Sequence, residues 1–194
     1  MQNVIDRTST ISLIINYLQE NNLATICAPK MSGKTSLASL TYNSLIKQPS
    51  FDDHSIFLIS MLAHDCFEKK TFERKWEKIV GVSFSQILQE SNQGRKVVII
   101  LDEANILYDL HIAGQFWDLM KQVQAKMFQN MFVLLFVSHD SNQSDHPSNS
   151  IFESCISFSQ VIYNDNEFAQ YLAGLEKLIE ETNAAEAWRV LSLA

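Results

Sequence analysis

The chain has 194 residues, 46 % of them apolar and 19 % charged, a balance that suits one domain with a substantial core and excludes intrinsic disorder. Its longest apolar runs, Val97–Leu101 and Met131–Val137, are strand-sized, so no stretch reads as a transmembrane helix, and the start lacks the basic, apolar pattern of a signal peptide. The net charge of −7 is uneven, running from about +2 over residues 1–50 to about −4 over 101–150 and −5 over 151–194, which argues against autonomous grip on nucleic acid.

In chain order, Thr10–Leu18 places Ile11, Ile14, Ile15 and Leu18 at helical spacing. Leu23–Cys27 reads as a short buried strand, and Thr35–Ile46 as a helix with Leu37, Leu40 and Leu45 on its apolar side. Ser55–Met61 is a second strand. Thr71–Gln89 is mostly helical, with a break near Gly81. Around it lie Lys69, Lys70, Arg74, Lys75 and Lys78, interleaved with Glu68, Glu73 and Glu77. That pattern reads as a solvated helix face with i,i+4 pairs. Val97–Leu101 is a continuous apolar strand of the kind covered on both faces in a parallel sheet. Ala113–Met127 is a helix and Met131–Val137 a fourth strand. Asp140–Ser150 is a polar loop. Cys155–Ile162 is expected as a fifth strand, and Glu167–Ile179 as a helix with Phe168, Tyr171, Leu175 and Leu178 on one face. Asn183–Ala194 is helical in pattern. Alternation of strands and helices implies an α/β fold with a mainly parallel sheet and right-handed crossovers. Cys27, Cys66 and Cys155 are too widely spaced for a disulfide framework or a zinc pattern, so an intracellular, cytoplasmic or nuclear setting is expected.

Three segments carry chemistry. Ala28-Pro29-Lys30-Met31-Ser32-Gly33-Lys34-Thr35 fits the phosphate-binding loop pattern with Ala28 in place of its first glycine. The relaxed pattern arises by chance in roughly 1–2 % of chains this long, but here an apolar strand precedes it and a helix follows, as the motif requires. Backbone N–H groups of such a loop form an anion nest. Gly33 removes a Cβ near a phosphate, Lys34 supplies a point charge, Thr35 offers a hydroxyl to Mg²⁺, and the helix adds its positive N-terminal end. Val97–Leu101 then runs into Asp102 and Glu103, two carboxylates at a strand's carboxyl end, where open α/β sheets bind ligands. Asp102 is suited to hold Mg²⁺ and Glu103 to polarise an attacking water. The acidic end lies some 67 residues beyond Thr35, a spacing that suggests the two strands are neighbours. Met131–Val137 exits into Ser138-His139-Asp140, where Ser138 or His139 is a candidate to sense a γ-phosphate.

These segments resemble the P-loop ATPases with an additional catalytic glutamate, the group that includes the AAA+ and STAND families. Val4-Ile5-Asp6-Arg7 resembles the box that precedes those domains, although Asp6 stands where that box has glycine. Ala28–Thr35 resembles Walker A, Val97–Glu103 resembles Walker B, and Phe132–His139 resembles the sensor-1 strand. The resemblance covers about residues 1–175. It implies a three-layer α/β sandwich with a five-stranded sheet in the order 5-1-4-3-2, ATP and Mg²⁺ as ligands, Arg7 and the box against adenine, and Ala28 to Thr35 with Ser36 around the nucleotide. Glu103, Lys34 and Ser138 would be catalytic, and Thr35 and Asp102 would hold the metal. Residues 1–175 would be the NTPase core and 176–194 a helical extension or partial lid.

Arg74, Arg95 and Arg189 are poor candidates for an arginine finger, a group worth roughly 10³–10⁵ in rate. Turnover is therefore expected to be slow unless a homo-oligomer or protein partner supplies one. The expected function is an ATP-binding, slowly hydrolysing core of a regulatory or assembly protein. The alternatives are a nucleotide-gated interaction module of STAND or effector type with little turnover, and a DNA-linked AAA+ ATPase, supported only by the basic helix. No Asn-Lys-x-Asp segment that would read guanine is present, which favours ATP over GTP.

Overall fold

The first helix, α1 (Thr8–Asn21), buries Ile11, Ile14, Ile15 and Leu18, the stripe that its spacing predicts. It ends where Asn22 enters the left-handed region (φ 62°) and donates its N–H to the Leu18 carbonyl, a cap that asparagine tolerates. In this computed structural model, the described residues are 7–30, 32–49, 56–61, 72–108, 114–138, 155–161, 167–170, 172–173, 176–177 and 180. Val4–Asp6, Met31, Lys69, Lys70, His139–Ser150 and 181–194 lie outside them.

After α1 come β1 (Leu23–Ala28), α2 (Lys34–Leu45), β2 (Ile56–Ser60), α3 (Phe72–Val80), α4 (Phe84–Asn92), β3 (Val97–Asp102), a 3-10 helix (Ala104–Tyr108), α5 (Gly114–Gln124), β4 (Met131–Ser138), β5 (Cys155–Ile156) and α6 (Phe158–Val161). The break expected near Gly81 is real. Gly81 has φ 82°, and Ser83 caps the next helix by accepting from the Gln86 N–H at 3.1 Å. The helix expected over 113–127 closes at Gln124.

All strand pairs are parallel, in the order β2-β3-β4-β1-β5, which read from the other edge is the expected 5-1-4-3-2. Every residue of β3 and β4 is buried. That is why both strands are unbroken apolar runs: helices cover both faces. Alternate residues feed two cores. Leu101, Leu135, Val137 and Leu23 pack with Trp76, Phe84, Phe116 and Trp117 on one side. Ile100, Leu134, Phe136 and Ile26 pack with α1 and α2 on the other. Trp76 meets Phe57 and Phe84 edge-on, at centroid separations of 5.8 and 4.9 Å, the arrangement that the ring quadrupoles favour.

Two expectations are corrected. The acidic strand β3 is not the neighbour of β1; β4 lies between them. The fifth strand is not Cys155–Ile162, because only Cys155 and Ile156 pair with β1, and a helical turn follows. The reason is local. Gln160 caps the turn: its Oε1 accepts from the Ser157 N–H at 2.9 Å and from the Ser157 hydroxyl at 3.0 Å, in the S-x-x-Q spacing of a helix start. Among the described residues no helix is long and apolar enough to cross a membrane.

Candidate functional site

Parallel strands bring their carboxyl ends to one edge, and register fixes what meets there. Leu101, Leu135 and Thr25 are level across β3, β4 and β1. One step further the chain has Asp102, and Ser138 at the end of β4 is level with Ala28 at the end of β1. The strand order therefore puts Ser138 between the acidic end of β3 and the loop that follows β1.

The loop after β1 turns back through a Ser32 N–H to Pro29 O hydrogen bond of 3.3 Å. It enters α2 at Gly33, whose φ of 82° is strained for any residue with a Cβ. Nothing lies within 4 Å of where a Cβ would stand, so the demand for glycine is conformational. Ala28 is buried, and Pro29, Lys30, Gly33, Thr35 and Ser36 are exposed. Lys34 is only 4 % exposed. Its ammonium donates to Pro29 O at 2.8 Å and Ala28 O at 3.3 Å, so it lies across the loop that its sequence position predicts it to serve. Ser32 Oγ is buried with no hydrogen-bond partner among the described residues.

Asp102 is 2 % exposed. By alternation it shares the sheet face of Ile100, which α2 covers, so it faces the side on which Thr35 opens α2. Its Oδ1 is buried and has no hydrogen-bond partner among the described residues. An unsatisfied carboxylate oxygen in the interior is costly unless something binds it. A hard cation is the fitting partner, since Mg²⁺ takes oxygen ligands and one or two carboxylates.

Glu103 leaves the strand at φ 55°, a conformation rare for a residue with a side chain and frequent at functional positions. The turn brings its carboxylate to Ser138, whose hydroxyl donates to Glu103 Oε2 at 3.2 Å. The Ser138 N–H donates to Asn105 Oδ1 at 3.4 Å. Sequence reading named Glu103 and Ser138 but not Asn105, whose only signal is its position two residues beyond the acidic pair.

Arg7 stands at the start of α1. It is 6 % exposed, donates to the Val161 carbonyl at the end of α6, and sits 3.9 Å from the Glu167 carboxylate. Glu167 also accepts from Ser9 Oγ at 3.4 Å and Thr10 Oγ1 at 3.3 Å. Arg7 thus ties α1 to the last described helical segment. Of the arginines weighed as a finger, Arg95 pairs with Glu90 at 2.7 Å, and Arg74 is exposed on α3.

No protein-family model and no curated protein matches the chain. Solved structures do. A DNA replication initiation factor aligns with 90 % of this chain and 50 % of its own, at 15 % identity and a TM-score of 0.55. A Walker-type ATPase of Pyrococcus abyssi aligns with 69 % of this chain and 45 % of its own, at 14 % identity and a TM-score of 0.50. The PCH-2 protein of C. elegans aligns with 80 % of this chain and 44 % of its own, at 18 % identity and a TM-score of 0.50. The chain thus spans about half the length of these structures. At such identities the likeness is one of fold: the chain has the α/β fold of P-loop NTPases.

Proposed function

We propose that the chain binds ATP at the edge formed by Ala28–Ser36, Asp102, Glu103 and Ser138, and hydrolyses it slowly with Mg²⁺. The observation that carries the reading is the buried, unpartnered Asp102 oxygen on the sheet face that α2 covers. Mg²⁺, held by Thr35 and Asp102, would neutralise charge on the phosphates. The loop N–H groups and Lys34 bind the phosphates, Lys34 exchanging the Pro29 and Ala28 carbonyls for phosphate oxygens. Glu103 orients the attacking water and takes its proton. Ser138 either holds Glu103, as here, or turns its hydroxyl toward the γ-phosphate. With Arg7 engaged by Glu167 and Val161, Arg95 paired with Glu90 and Arg74 exposed on α3, fast turnover needs an arginine from a second copy or a partner. Residues 1–175 act as the core, and 176–194 as a helical extension or partial lid of a regulatory or assembly protein.

A second reading, a nucleotide-gated interaction module, draws on Phe168 and Leu172. They are four residues apart on the last helical segment, and 50 % and 44 % exposed. Such a pair suits docking in a bound state. A DNA-linked role draws only on Arg74 and Lys78, both exposed on α3.

The deciding experiment is ATP binding and single-turnover hydrolysis with Mg²⁺, native chain against Glu103→Gln. Binding with turnover lost in Glu103→Gln fits hydrolysis. Binding with no turnover in either protein points to the gated module, and an absence of binding refutes the nucleotide site.

A further inference from the structure

A side chain completes the sheet where β3 leaves it. The Val133 N–H donates to the Asn22 carbonyl, on the β1 side of β4. N–H directions alternate along a strand, so the Ser138 N–H, five residues on, points toward β3. Leu101 is level with Leu135, and counting on sets Ser138 level with Ala104. Val133 is level with Leu23 yet bonds one residue back, to Asn22. By the same offset a longer β3 would offer Ser138 the Glu103 carbonyl. β3 ends at Asp102 instead, and Glu103 turns off at φ 55°. The acceptor that meets the Ser138 N–H is Asn105 Oδ1, at 3.4 Å.

Ser138 is thus held at two atoms, its N–H by Asn105 and its hydroxyl by Glu103 Oε2 at 3.2 Å. The residue is buried, so little water is at hand to replace a lost acceptor. Asn105 is fixed from behind. Its neighbours in the 3-10 helix, Ala104 and Leu107, are fully buried and pack in the same core as Leu135 and Val137 of β4. The helix that carries Asn105 and the strand that carries Ser138 are therefore fastened to one another by apolar contact, and the amide sets the last residue of the strand.

We propose, resting on the ATP-site reading above, that Asn105 is a positioning residue for hydrolysis: by holding the Ser138 main chain, it keeps the Ser138 hydroxyl within reach of both Glu103 and the γ-phosphate. Asn105 touches neither water nor nucleotide and acts through Ser138. With the main chain fixed, the hydroxyl changes partner by turning about the Cα–Cβ bond alone. Without Asn105 the end of β4 is tied only on its β1 side, where Ser138 is level with Ala28, and the hydroxyl drifts from both partners. Misplacement by about 1 Å costs up to roughly 100-fold in rate.

The test compares the full chain with Asn105→Ala, which removes the acceptor, and Asn105→Asp, which keeps one. Calorimetry gives ATP affinity, and single-turnover hydrolysis with Mg²⁺ gives the rate. Asn105→Ala should leave affinity unchanged and slow the single-turnover step roughly 10–100-fold. Asn105→Asp should recover most of that loss. Adding Asn105→Ala to Ser138→Ala should slow the chain no further, because the two residues act as one unit. In the nucleotide-free chain, labelled with ¹⁵N-serine, the Ser138 amide should exchange with solvent faster in Asn105→Ala than in native protein or Asn105→Asp. Equal rates in native protein and Asn105→Ala, a loss that Asn105→Asp leaves in place, a further loss on top of Ser138→Ala, or an unchanged Ser138 amide would overturn the positioning role. A native chain that binds no ATP, or binds it without turnover, refutes the hydrolysis reading itself and this role with it; a native chain that hydrolyses ATP while Asn105→Ala matches it refutes this role alone.

Discussion

Removing the Glu167 carboxylate tests the idea that a buried pair joining the start of α1 to the segment at Glu167 holds the sheet edge. Arg7 and Glu167 are 6 % and 4 % exposed, 3.9 Å apart, and 160 residues apart in sequence. Glu167 also accepts from Ser9 and Thr10, and Arg7 donates to Val161. Neither charge can return to water while the fold is intact, so deleting one leaves the other in the interior without its counter-charge. Breaking such a pair costs about 3–5 kcal/mol. For a chain of this size, each kcal/mol moves the midpoint by roughly 2–4 °C, so Glu167→Ala should lower Tm by roughly 6–20 °C. Glu167→Gln keeps acceptors for Ser9 and Thr10 and loses only the charge, so it should fall between Glu167→Ala and native. The double variant Arg7→Met with Glu167→Leu should cost less than the two single changes added together. Urea unfolding followed by circular dichroism measures each variant, the two single changes included, with an unchanged m-value confirming that stability alone has moved. A loss under about 1 kcal/mol in Glu167→Ala would show that the pair is not a clamp and that this reasoning is wrong.

Lys34→Ala removes the loop's counter-charge and should weaken ATP about 100-fold or more, the size of two charge-assisted hydrogen bonds; calorimetric titration measures it. Asp102→Asn should raise the Tm of the nucleotide-free protein by relieving an unpartnered buried charge, a gain of about 1–3 kcal/mol, while weakening Mg²⁺-dependent nucleotide binding. A lower Tm would mean that Asp102 has a structural partner. Gly33→Ala meets no steric obstacle, yet should cost about 1–2 kcal/mol by forcing a side chain into the left-handed region, seen as a lower urea midpoint.

Much of this was legible because the signals are local. Val97–Leu101 and Met131–Val137 announce strands covered on both faces, and burial along β3 and β4 is complete. Gly81 marks a helix break through its own backbone. The loop motif lies between the strand and helix that its chemistry needs. Asp102, Glu103 and Ser138 were named from strand ends alone, and the sheet gathers those ends on one edge. The fifth strand is shorter than expected because the Ser157–Gln160 contact starts a helical turn after Ile156.

What sequence by itself determined is what residues decide with their near neighbours: strand, turn, helix start, and the chemical type of each side chain at the loop. Tertiary structure decided what depends on register and burial. It placed β4 between the loop strand and the acidic strand, left Asp102 Oδ1 without a partner among the described residues, and turned Glu103 onto Ser138. It also drew Arg7 to Glu167. Each of these joins residues far apart in the chain. Such pairs form only once the helices and sheet have packed, because packing offsets the entropy of closing the long loops between them.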